Sequence, residues 1–336
     1  MSPHGSTRRH ALASLASGTA LLAAPPFIRH AGAQSLTKVS FQTGWLAQAE
    51  HGGLYQALAT GLYREHGLDV EIRMGGPQVN TVSLFMAGKT DFTEIDSFRT
   101  CSIALEKLPG VAVAAFFQKD PRVLMSHPGM GNEKLASLKG KPILVATAGR
   151  QTYWLWLKAK FGFTDEQIRP YTFNIAPFLA DKNVTMQGYV TSEPFAARQA
   201  GVDPVIHLLA DEGFDNYAGV MLASPKMVQE KPDVVQRFVD ATAKGWASYL
   251  HGDPSAANKL IRSNNADMSD EKIAYAIDSM KKYGIVEGGE AKTLGIGGMS
   301  DARWKRFYDA MAAAGALAPG LDVKSGYTLQ FVNKRA

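Results

Sequence analysis

The sequence predicts an α/β protein of two lobes, each a mostly parallel sheet flanked by helices, followed by a helical C-terminal portion. Three observations predict it. Short β-type runs alternate with helix-period stretches over residues 37–120. The alternation restarts after residue 138. From Pro225 onward the pattern is almost wholly helical. A β-α-β-α-β-α-β order implies crossover connections in one sheet, and a second such run implies a second sheet with a cleft between.

Taken in order, Lys38–Gln42 reads as a strand and Gly53–His66 as a helix closed by Gly67. Asp69–Arg73 is the next strand, Val79–Ala87 a helix, Asp91–Ile95 a strand and Ser97–Leu108 a helix. Val111–Phe117 (VAVAAFF) has the unbroken apolar character of a buried strand. In the second run, Pro142–Ala146 is a strand, Tyr153–Phe161 a helix, Gly188–Val190 a strand end, Pro194–Ala200 a helix and Val205–Leu209 a strand. Residues 220–223 return as a strand. Pro232–His251, Ser255–Ser263, Ser269–Lys282 and Ser300–Ala314 each start at a Ser or Pro start signal. Trp154 and Trp156 stand two apart, so one is expected to face the core and the other not. The expected division is lobe 1 over 37–120, lobe 2 over 121–218, and a return to lobe 1 over 219–325.

The first 33 residues read as a cleaved export leader. Arg8 and Arg9 precede an apolar run from Ala11 to Ala24, and Ala31-Gly32-Ala33 has the small-x-small form of a cleavage site. The run is too short to span a bilayer. Thr7–Leu12 matches a twin-arginine signal in part, with Ala11 where that pattern carries Phe. The expected location is the periplasm. The leader holds three of the 36 basic residues and no acid, which leaves a nearly balanced chain. That balance gives no reason to expect nucleic acid or an acidic membrane as partner. Cys101 is the single cysteine, so neither an intrachain disulfide nor a cysteine metal site is expected. No metal and no cofactor is expected, and the chain is expected to be a monomer.

In open parallel sheets, ligands sit beyond the carboxyl ends of the strands. The first such turn carries Trp45, Glu50, His51, Gly52 and Gly53. Trp45 offers a stacking face and the acid and imidazole offer polar edges, while the glycines permit close backbone approach. Read structurally, Trp45 would cap the core and His51 the helix. Later strand ends repeat the theme with Asp96 and Ser97, with Gln118, with Arg150, Tyr153 and Trp154, with Tyr189 and Glu193, and with Tyr217. Aromatics plus carboxylates suit a planar ring with N–H donors. A small anion would call instead on Arg150, Lys119 and helix-terminal amides, beside acids that would repel it.

The stretch EHGGLYQALATGLYREHGLDVEI resembles the opening of the solute-binding proteins that serve transporters for thiamine pyrimidine precursors, riboflavin, nitrate and alkylsulfonates. MAGKTDF, SLKGKPI, GYVTSEPF, KPDVVQRFVDATAKGW and GGMSDARW continue the likeness over residues 38–318. The resemblance implies the two-lobed periplasmic binding protein fold (type II). It also implies that Trp45 stacks on a ring, that Glu193 hydrogen-bonds it, and that Tyr189 and Tyr217 are further walls. Tyr55 belongs to the same H-x-G-x-Y element. The Pro-Asn that follows the Trp in precursor binders is replaced by Leu46-Ala47-Gln48, which makes Gln48 the candidate for the missing amide. The expected function is capture of a small nitrogen heterocycle by cleft closure and delivery to an ABC permease in the inner membrane. The alternatives are a binder of nitrate, taurine or a sulfonate, and a pyrimidine-synthase-like enzyme. The latter is disfavoured because Cys101 alone cannot supply that family's cysteine-rich iron motif.

Overall fold

The computed structural model describes residues 35–77 and 79–334. The expected export leader, residues 1–33, lies outside the described residues. Among the described residues, ten strands form two five-stranded sheets. The first contains β1 (Thr37–Gln42), β2 (Leu68–Arg73), β3 (Phe92–Ile95), β4 (Val111–Phe117) and β10 (Ala218–Ala223), in the order β2-β1-β3-β10-β4. The second contains β5 (Arg122–Ser126), β6 (Ile143–Val145), β7 (Ile168–Pro170), β8 (Thr185–Tyr189) and β9 (Val205–Leu208), in the order β7-β6-β8-β5-β9. The chain passes between the sheets twice, through residues 118–121 and 209–217.

Both sheets are mixed rather than mostly parallel. β1 pairs in parallel with β2 and β3, and β6 with β7 and β8, as helical crossovers require. β10 runs antiparallel to β3 and β4, and β5 runs antiparallel to β8 and β9. These two exceptions are the strands entered through the links between sheets. Neither is preceded by a crossover helix within its own sheet, so nothing forces a parallel direction. β4 stands at a sheet edge yet is buried from Ala112 to Phe117. Tyr327 bridges Ala112 and Gly297 bridges Ala115, so C-terminal segments cover that edge.

The expected helix over Gly53–His66 is two helices, Gly52–Ala59 and Leu62–Glu65, separated at Gly61 with φ +82°. A left-handed residue cannot continue a right-handed helix. Trp154 and Trp156 are both buried, because their helix is covered on two sides. Trp154 packs on Phe163, and Trp156 packs on Phe214.

The glycines of the opening turn serve packing. A Cβ on Gly52 would lie 2.0 Å from the Tyr249 ring, and one on Gly53 would lie 2.3 Å from the Trp246 ring. A Cβ on Gly245 would lie 2.2 Å from the Gly53 carbonyl oxygen. The helices Gly52–Ala59 and Pro232–His251 therefore cross at closest approach where neither has a side chain. On the same long helix Phe238 centres the first lobe's core, 5.7 Å from Phe41, 5.3 Å from Tyr63 and 4.6 Å from Phe92 between ring centroids.

Arg303, on the helix Asp301–Ala313, is buried where the two inter-sheet links meet. It donates to the backbone carbonyls of Gln118 (2.6 Å) and Asn216 (3.2 Å) and pairs with the Asp215 carboxylate at 2.8 Å. Its guanidinium also lies 3.9 Å from the Tyr217 ring centroid. One side chain of the helical portion thus holds both links.

Candidate functional site

The C-terminal ends of β1 and β3 in the first lobe face elements of the second lobe through a small set of side-chain contacts. The Thr191 hydroxyl, after β8, donates to the Glu50 carboxylate at 2.5 Å. Trp45, after β1, packs on Phe173, after β7, with ring centroids 4.9 Å apart. Arg122, which opens β5, lies 3.6 Å from Asp96, after β3. Tyr275, on the helix Asp270–Tyr283, donates its hydroxyl to the Val190 carbonyl at 3.1 Å and accepts from Arg198 at 3.0 Å.

Glu50 and His51 are both buried but point to different partners. Burial pushes the Glu50 carboxyl above its ordinary range, against the opposing pull of the Thr191 hydrogen bond. His51 Nε2 lies 3.0 Å from Glu94 Oε2, and Glu94 also accepts from the Gly44 amide at 3.0 Å. Burial alone would push the imidazole down, yet the Glu94 charge and hydrogen bond prevail and raise it. Burial likewise works to raise Glu94, and His51 with the Gly44 amide outweighs it and lowers it. The structure therefore holds His51 as the partner of an acid inside its own lobe.

Arg122 is the basic centre of the set. Asp120 pairs with it at 2.9 Å, and the Tyr153 and Tyr189 rings lie 5.7 and 6.0 Å away. Asn216 donates to Asp120 at 2.6 Å and so joins the two links beside this arginine. Burial raises Asp96, against Arg122 and the Arg99 amide that it caps. The Tyr153 hydroxyl donates to Gln187 at 2.8 Å. Burial also raises Glu193. Its carboxylate turns back to accept from the Tyr189 amide at 2.7 Å and the Tyr171 hydroxyl at 3.3 Å.

The sequence-predicted residues thus divide. Trp45, Glu50, Asp96, Tyr153, Tyr189 and Glu193 belong to this set of contacts at the facing strand ends. Gln48 lies beside them, its backbone carbonyl accepting from the His51 amide at 3.0 Å. Tyr55 is in the first lobe's core, where burial raises its phenol to about 12. Trp154 is in the second lobe's core and donates to Asp165 at 2.9 Å. Ser97 and Tyr217 hold each other, with the Tyr217 amide donating to the Ser97 hydroxyl at 2.9 Å. The Gln118 side chain donates to the carbonyls of Ala115 and Gly298 at 3.0 and 2.8 Å, and the Tyr217 hydroxyl donates to Glu290. Gln118 and Tyr217 are parts of the links rather than cleft walls, because the Arg303 helix covers them. Arg150 lines an open groove of about 500 Å³ with Leu155, Lys158, Asp165, Ile168 and Pro170, and its buried Nε has no hydrogen-bond partner among the described residues.

Sequence reasoning missed Arg122, Asp120, Tyr171 and Phe173, whereas Thr191 is read from the sequence as a strand-end residue beside Tyr189 and Glu193. Phe173 follows the three-residue strand β7, whose Ile-Arg-Pro gives no alternation to recognise. A Tyr-x-Phe directly after Pro170 was the available signal.

Residues 48–257 match the family model described as NMT1/THI5 like. The chain belongs to the NMT1/THI5-like family. This NMT1/THI5-like chain is 21% identical over 306 residues to the riboflavin-binding protein RibY of Chloroflexus aurantiacus, covering 89% of this chain and 87% of that one. Its fold matches the periplasmic aliphatic sulphonate binding protein SsuA of Escherichia coli with a TM-score of 0.66 at 12% identity, over 87% of this chain and 92% of that one. It also matches a putative sulfonate-binding SsuA of Methylobacillus flagellatus with a TM-score of 0.64 at 15% identity, over 88% and 93% of the two chains. The architecture is that of periplasmic binding proteins.

Proposed function

We propose that the chain is an extracytoplasmic solute-binding protein that captures a planar nitrogen heterocycle between its lobes and delivers it to an ABC permease. One observation carries the choice of ligand. Arg122 is matched by Asp96 and Asp120, while Glu50 and Glu193, reached from opposite lobes, form no ion pair among the described residues. An acidic surplus beside Trp45, Tyr171 and Tyr189 favours a ring bearing N–H donors or partial positive charge. It disfavours a compact anion, to which two carboxyl groups offer no cationic partner. Thiamine pyrimidine precursors fit this chemistry, and so does the isoalloxazine ring of riboflavin, the ligand named for RibY. Binding would proceed by closure about the 118–121 and 209–217 links, without a covalent step.

Arg150 supports a second reading, a small anion such as a sulfonate or nitrate. It is half-buried with an Nε that has no partner among the described residues, and a guanidinium there would gain from an oxyanion. A thermal-shift screen of the mature protein separates the two. At a hundredfold excess over the dissociation constant a ligand adds about 2.7 kcal/mol. A shift with pyrimidines or flavins supports the first reading. A shift only with taurine, nitrate or sulfonates replaces it with the second.

A further inference from the structure

We propose that Phe173 is the second aromatic wall of the cleft, opposing Trp45, and that the two rings take the opposite faces of a flat heteroaromatic ligand. The inference rests on the cleft reading above and adds a residue, Phe173, and its role as the second stacking face, which the reading does not name.

Three observations bear on it. Phe173 is 53% exposed, the most exposed of the large apolar side chains among the described residues. Its backbone has φ +62°, a region costly for a bulky side chain. Two other non-glycine described residues share that sign, Asn333 and Lys107. Asn tolerates the left-handed region, and Lys107 follows a helix end, where such a residue is common. Neither account covers an aromatic between Thr172 and Asn174. Third, the ring that this backbone presents to solvent meets Trp45 on the other lobe at 4.9 Å and Tyr171 at 5.2 Å. Strain and exposure together place an apolar ring where folding does not need it.

The contact also fixes what the pair can accept. A guest ring needs about 3.5 Å from each wall, so the two side chains must part to admit it. Phe173 stands on an exposed loop, whereas Trp45 follows β1 in a turn held by Thr43, whose amide donates to the Arg73 carbonyl and whose hydroxyl donates to the Trp45 carbonyl. Phe173 is therefore the wall that moves. A flat guest gains two stacking faces, whereas a compact anion such as taurine gains none. Tyr171 ties this wall to Glu193, so the same movement positions the acid that would meet the ring's N–H groups.

The test uses the mature protein and two readouts. Trp154, Trp156, Trp246 and Trp304 are all nearly inaccessible, so acrylamide quenching of tryptophan fluorescence reads Trp45. Removing the covering ring exposes a second face of Trp45, and Phe173→Ala raises the quenching constant by about twofold. By calorimetry with riboflavin, 4-amino-5-hydroxymethyl-2-methylpyrimidine and taurine as probes, Phe173→Ala weakens whichever ring binds by about tenfold, and Phe173→Tyr restores it. Phe173→Gly keeps the left-handed backbone without strain and serves as the folding control. Wild-type ring affinity in Phe173→Ala, or unchanged quenching, overturns the proposal and leaves the cleft reading standing. If neither ring binds the wild-type protein, the cleft reading falls first and this proposal with it.

Discussion

Thr191 donates to Glu50 at 2.5 Å across the space between the two lobes, and the carboxylate that accepts is buried. This bond holds the lobes together through a group that resists ionisation. Because burial raises the Glu50 pKa above the ordinary 4.5, the native chain binds more protons than the unfolded one between those two values. Stability from this group is complete at low pH and falls as pH rises through the raised value. Thr191→Val removes the donor and leaves an ionised carboxylate unsatisfied, at a cost of about 1–3 kcal/mol. The melting temperature of Thr191→Val should fall further below wild type at pH 8 than at pH 5, and Glu50→Gln should flatten the profile. An equal loss at both pH values would show that the hydroxyl acts by packing alone.

The His51–Glu94 pair has the opposite chemistry. His51 is raised above 6.5 and Glu94 is lowered, so their attraction is present between the two values. It is lost as pH rises through the His51 value, and lost as pH falls through the Glu94 value. In an NMR titration the His51 ring should show a midpoint above 6.5 that drops in Glu94→Gln. Since Glu94 is 17% exposed, that variant should lose on the order of 2 kcal/mol, less than a fully buried pair would. A wild-type midpoint below 6.5 would mean that desolvation prevails.

At the helix crossing, Gly53→Ala drives a methyl into the Trp246 ring and Gly245→Ala drives one into backbone. Each should destabilise by about 1–3 kcal/mol or more in urea unfolding. Gly61→Ala, where open space surrounds the Cβ, has only the backbone strain of φ +82° to meet. If Gly53→Ala were neutral, the crossing would have to be looser than described.

Trp45→Ala and Glu193→Gln address the cleft directly. Trp45 is half-buried, so its truncation should change the melting temperature little while lowering ring affinity about tenfold. Glu193→Gln replaces an acceptor with a mixed group and should weaken a donor-bearing ring more than riboflavin's flat face alone. Calorimetry on the best binder from the thermal-shift screen measures both. Wild-type affinity in the two variants would remove these residues from the site.

Much of the fold was legible in the sequence because it is written in local periodicity. The bounds of β4 and of the helices Tyr153–Phe161 and Pro232–His251 coincide with the expected ones. What local pattern misses are short elements and direction. β7 is three residues with a proline, and nothing within β5 or β10 says that they run against their neighbours. The site was legible in part for a related reason. Strand ends can be read from the chain, so Trp45, Glu50 and Asp96 could be named as edge residues. Whether an edge residue meets the opposite lobe or its own core depends on what packs over it.

The amino-acid sequence by itself determined the two α/β runs, the helical tail and the residue types at the strand ends. These follow from hydrophobic period, capping and glycine placement, all of which act within a few residues. Only the tertiary structure decided that Gly52 and Gly53 admit Tyr249 and Trp246, that Arg303 binds Gln118 and Asn216, and that Trp45 meets Phe173. Each joins residues more than eighty positions apart. Such pairings are set by steric fit and by the need of buried polar groups for partners, neither of which leaves a period in the chain.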